Sequence, residues 1–146
     1  MSRAAQMERI IAKGQLVPLV FMQDAVAASQ SDVQLLVAEV ASAASNAVDG
    51  YVAPFEGEII AISARLSAAA SAGSLTIGPT VGGTEKTTLQ LSIDDDQSIY
   101  AKTLRGKIPF AAGDLIGAEI TTDGTWNGTS ADLCVVVWVL LHMDGI

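Results

Sequence analysis

The chain has 146 residues, 50% hydrophobic and 16% charged, against about 25% charged in an average soluble domain. No apolar run approaches the ~20 residues needed to cross a bilayer as a helix, and the single cysteine, Cys134, excludes an internal disulfide. That composition predicts one domain with an appendage, working in a reducing compartment and hiding apolar surface against other subunits, with no membrane partner.

The net charge of −8 is unevenly placed. Residues 1–22 carry Arg3, Arg9 and Lys13 against Glu8, and the remainder holds five basic and fifteen acidic side chains, giving −10. An acidic body repels phosphate, so no nucleic-acid partner is expected. A basic leading segment suits an acidic protein surface, a sister subunit included. Within it, "AAQMERIIA" (4–12) reads as a short helix, and "LVPLVFM" (16–22) as an extended apolar piece broken by Pro18. Together with "AVAA" (25–28) this resembles a secretory leader, but Glu8 and Pro18 count against that reading. Residues 1–30 are therefore expected to form an N-terminal arm, and 31–146 a folded domain.

"DVQLLVAEVA" (32–41) fits either a helix face or a strand, and loop-like flanks favour a strand over 33–40. From Tyr51 the period is two. "GEIIAISARL" places Ile60, Ile62, Ala64 and Leu66 on one face and Ser63 and Arg65 on the other. "SLTIGPTV" follows, and Gly82-Gly83 turn the chain into "KTTLQLSI", which points Leu89, Leu91 and Ile93 inward. The solvated "DDDQS" precedes "IYAKTL". "FAAGD" turns into "LIGAEITT", where Ile116, Ala118, Ile120 and Thr122 share a face. Seven or eight short strands at this spacing predict an all-β fold, a sandwich of two antiparallel sheets.

The last strand, "LCVVVWVLL" (133–141), is apolar on both faces. Leu133, Val135, Val137, Val139 and Leu141 serve one side; Cys134, Val136, Trp138 and Leu140 serve the other. A strand greasy on both faces is covered on both. In a two-sheet sandwich the second cover must come from another subunit or from the chain's own N-terminal half.

Reactive chemistry is sparse. His142 is the sole histidine and has no second His or Cys close in sequence to make a metal site. "GPTVGGTEKTT" (78–88) has phosphate-loop glycine spacing, but Thr84 stands where lysine is required. Asp94–Asp96 could offer oxygens to Ca²⁺, yet consecutive carboxylates on an extended chain point in alternating directions. "NGT" (127–129) fits the glycosylation pattern and has meaning only on a secretory route. Trp126 is the one aromatic in a polar loop and the candidate for stacking on a sugar. No cofactor, no metal and no enzymatic activity are expected.

The order "YVAPFEGEIIAISARLSAAASAGSLTIGPTVGGT", an alternating strand, "FAAGDLIGAEITT" and a hydrophobic final strand resembles the small β-sandwich structural proteins of tailed bacteriophages. In size and layout it is most similar to the head decoration, or cement, proteins. The resemblance covers about residues 33–146 and rests on turns and alternation. It implies a jelly-roll sandwich with an N-terminal arm, sitting as a homotrimer on the major capsid protein and stabilising the mature shell of the virion. Contacts would come from Arg3, Met7, Arg9, Ile10, Lys13, Val17 and Phe21 of the arm and from Val136, Trp138 and Leu140 of the last strand. Tail, baseplate or head-fibre proteins of the same virion type are the first alternative. A carbohydrate-binding adhesive module built on Trp126 is the second.

Overall fold

The computed structural model describes residues 2–6, 14–40 and 48–143. Residues 3–6 make one helical turn. Among the described residues eleven strands follow: β1 (Gln15–Gln23), β2 (Val33–Gln34), β3 (Tyr51–Val52), β4 (Gly57–Leu66), β5 (Leu75–Val81), β6 (Thr84–Glu85), β7 (Leu91–Ile93), β8 (Ser98–Lys102), β9 (Pro109–Phe110), β10 (Leu115–Thr122) and β11 (Leu133–Leu141). A 3₁₀ turn at Thr87–Leu89 precedes β7. The strands form two antiparallel sheets. Sheet 1 runs β1-β11-β4-β8, with β9 also on β4; sheet 2 runs β2-β10-β5-β6, with β3 on β10 and β7 on β5. The fold is the expected all-β sandwich.

The core fills the space between the sheets. From sheet 1 it takes Phe21, Ile59, Ile62, Ala64, Leu66, Val135, Val137 and Val139; from sheet 2, Leu75, Ile77, Leu91, Ile93, Ile116, Ala118 and Ile120. The face shared by Ile116, Ala118, Ile120 and Thr122 is buried as its alternation predicts. Leu89, Leu91 and Ile93 are likewise buried, although the chain reaches them through the 3₁₀ turn instead of a continuous strand. Gly82 and Gly83, at φ 59° and 76°, connect β5 to β6 in a two-residue turn. Two successive positive φ angles define the type I′ geometry that matches strand twist, and glycine adopts it without steric cost.

Three expectations are corrected. The segment from Gln15 onward is not an arm: β1 pairs along its whole length with β11, from Gln15↔Leu141 to Gln23↔Leu133. A strand whose apolar period is interrupted by proline fits a sheet edge, where one side of the backbone needs no partner. The strand expected at 33–40 shrinks to Val33–Gln34 and an isolated bridge from Leu36 to Met22. Within β4, Ile60 is only half-buried while Ile59 is fully buried. The register with β11 slips between Trp138 and Val139, so Ile60 is the extra residue of a bulge and the inward set shifts to Ile59.

Candidate interaction surface

The outer face of sheet 1 is organised in four rungs set by strand register. Leu16, Leu140 and Glu58 form the first; Pro18, Trp138, Ala61 and Lys102 the second. Val20, Val136, Ser63 and Tyr100 make the third, and Met22, Cys134, Arg65 and Ser98 the fourth. The β1 and β11 half is apolar; the β8 half turns polar and basic. Leu16 is 51% exposed and Tyr100 74%, while Val20, Met22, Val136, Trp138 and Leu140 are half-buried. Along β4 the small side chain of Ser63 leaves a trough of about 420 Å³, bordered by Val136, Cys134, Arg65 and Tyr100.

Sheet 2 presents the opposite character. Its outer face carries Gln34, Glu119, Gly78, Thr80, Gly117, Glu85, Thr76 and Thr121, with Leu115 and Val52 as an apolar rung at one end. Gln34 Nε2 donates to Glu119 Oε2 at 2.7 Å, and Thr80 Oγ1 donates to Gln34 Oε1 at 3.3 Å. Burial pushes the Glu119 carboxyl up, Gln34 pulls against it, and the nearby Glu85 and Asp32 raise it further. The two outer faces thus differ in kind. That of sheet 2 is hydrogen-bonded and acidic around Gln34 and Glu119; that of sheet 1 is apolar across β1 and β11.

The first rung ends at a polar clasp. Glu58, 2% exposed, accepts from Arg105 Nε at 2.8 Å and from the Gly106 backbone N–H, and lies 3.4 Å from His142 Nε2. Burial works against its charge, but the Gly106 N–H, Arg105 and His142 together hold the carboxyl below its ordinary range. The clasp ties the loop after β8 to the end of β11. It satisfies a buried charge, as a carboxylate next to apolar surface requires. Among the described residues no cluster of three or more His, Cys, Asp or Glu is placed to hold a metal.

The sequence-predicted site residues divide. Val136, Trp138 and Leu140 lie together on the outer face of sheet 1. Val17 points the other way and is packed against the core, and Phe21 is fully buried, edge-on to Tyr51 with ring centroids 5.5 Å apart. Phe21 is therefore a core residue, not a contact. Arg3 is exposed in the helical turn; Met7, Arg9, Ile10 and Lys13 lie outside the described residues. Trp126 is 3% exposed, and its indole N–H donates to the Val26 carbonyl at 3.1 Å. Buried this way, it offers no stacking platform.

Sequence reasoning missed the apolar side chains that β1 adds beside β11: Leu16, Pro18, Val20 and Met22. Their period-two spacing was readable once the segment was taken as a strand. The clasp carried no such signal, because Glu58, Arg105 and His142 are distant in sequence. In comparison with known proteins, the chain matches no family model and no curated protein.

Proposed function

We propose that the chain is a structural protein of a multisubunit assembly, docked through the outer face of sheet 1. The observation that carries this reading is the contrast between the two outer faces. A sheet normally alternates apolar-in and polar-out, and sheet 2 keeps polar Gln34, Thr80 and Glu119 on its outer side, hydrogen-bonded to one another and largely buried. Sheet 1 instead places Leu16, Pro18, Val20, Met22, Val136, Trp138 and Leu140 on its outside. Contiguous apolar surface of this kind marks an interaction site.

The assembly we favour is the shell of a tailed phage, decorated by this chain as a trimer. The similarity in turns and strand order described above supports it. So does the path of the chain: the first and last long strands, β1 and β11, lie side by side, and from β4 onward the longer strands β4, β5, β8, β10 and β11 alternate between sheets. We read this order as a jelly roll. A cement protein needs a rigid body and docking surface, and binding only the mature shell stabilises that shell by mass action. Three-fold placement makes weak contacts act together.

Co-sedimentation tests the proposal. The chain should travel with DNA-filled heads and not with unexpanded shells, and Trp138→Arg should reduce retention at least tenfold. Equal retention of both proteins, or label confined to tails in immunogold micrographs, contradicts it.

A further inference from the structure

The two flanks of the sandwich at the Gly57 end complement one another in shape and in charge. On the first flank, between β1 and β3, an apolar cavity of about 220 Å³ opens, walled by Val17, Leu19, Tyr51, Val52, Phe110 and Leu141. Its neighbourhood is unusually greasy for a surface: Val52 is 67% exposed, and Phe55, Tyr51 and Leu115 are each more than a third exposed. Segments 48–56 and 111–116 around it hold Asp49, Glu56 and Asp114 and no lysine or arginine.

The second flank is the reverse. The segment 99–107, "IYAKTLRGK", holds Lys102, Arg105 and Lys107 and no acid. At its tip Leu104 is 76% exposed. The loop bearing it is pinned, since Arg105 and the Gly106 N–H both bond the buried Glu58. Both flanks sit at one end of the molecule: Gly57 pairs with Phe110 and with Leu141, and Glu58 follows it.

We propose that Leu104 of one copy fills the cavity between β1 and β3 of the next, with Lys102, Arg105 and Lys107 facing Asp49, Glu56 and Asp114. The occupant fits by size, because an apolar cavity of about 150 Å³ already accepts a benzene ring. It fits by charge, because a net-acidic chain would otherwise repel its own copies, and this pairing brings its basic stretch against an acidic one. Holding Leu104 on a pinned loop lowers the ordering cost of binding. The contact joins different patches on the two copies, so it is heterologous and builds a ring when the rotation closes. This deepens the assembly reading and rests on it.

Cysteine pairing tests the contact in the full chain carrying Cys134→Ser, which removes the only native thiol. Leu104→Cys and Val52→Cys chains, co-expressed and mildly oxidised, should form a disulfide-linked dimer; neither variant alone should. A disulfide between two Leu104→Cys chains, or none in the mixture, overturns the proposal. In a second measurement, Leu104→Asp should weaken self-association at least tenfold with an unchanged circular dichroism spectrum; unaltered association overturns it as well. The size of the wild-type protein separates the two levels. A wild-type monomer removes the assembly reading itself, whereas a wild-type oligomer without the Leu104–Val52 link removes only this contact.

Discussion

Trp126 shows how local sequence misleads about a side chain. It lies in "TDGTWNGTS", a stretch whose polarity reads as a wet loop, yet the polar residues there are employed as brackets. Asp123 accepts from the N–H and hydroxyl of Ser74 and of Thr125, and Asn127 Oδ1 accepts from the N–H groups of Ser71 and Ala72. The loop is thereby fastened over the sandwich end, and the indole turns inward to Val26. Trp126→Ala should cost about 3–5 kcal/mol, as for other buried aromatics, measured by urea unfolding. A change in glycan binding with stability intact would contradict its place in the core. Two carboxyls give opposite pH signatures. The Glu58 pKa is lower in the folded chain than in the unfolded one, so its contribution is full above the unfolded value and is lost as pH falls through the folded value. The Glu119 pKa is raised, so its contribution is full below the unfolded value and is lost as pH rises through the folded one. Glu58→Gln should therefore flatten the acid limb of the stability curve, and Glu119→Gln should raise the melting temperature at neutral pH.

At the scale of elements, alternation in β5, β10 and β11 was legible because each residue's side follows from its own period. What escaped was set by partners. The bulge at Ile60 exists only in the pairing of β4 with β11, and the membership of β1 in sheet 1 depends on β11 offering an edge. The proposed docking face was half legible: "LCVVVWVLL" announced Val136, Trp138 and Leu140, but their neighbours Leu16, Pro18 and Val20 appeared as a broken arm. Truncation separates the two descriptions of the N-terminal segment. Removing residues 1–13 should leave the β-rich circular dichroism spectrum unchanged, whereas removing 1–22 deletes most of β1, uncovers Val137 and Val139, and should cause aggregation or loss of cooperative unfolding. The two faces of sheet 1 should also respond differently. Ile62→Ala, from the fully buried face, should cost about 2–5 kcal/mol. Trp138→Ser, from the outer face, should cost less in the isolated chain and act mainly on assembly.

At the scale of the whole molecule, the described sandwich has a hydrogen-bonded, acidic outer face around Gln34 and Glu119 and an apolar one across β1 and β11. Such a body is suited to being held between other chains. The chain's only cysteine makes the decisive face directly readable, since Cys134 stands on the outer side of β11 beside Met22 and Arg65 and is exposed. The rate at which Cys134 reacts with a bulky maleimide should be compared between the free chain and the chain mixed with mature phage heads, the partner proposed above. Docking through sheet 1 predicts at least a tenfold slower reaction in the assembled state; equal rates would mean that this face stays in water and that some other surface makes the contact.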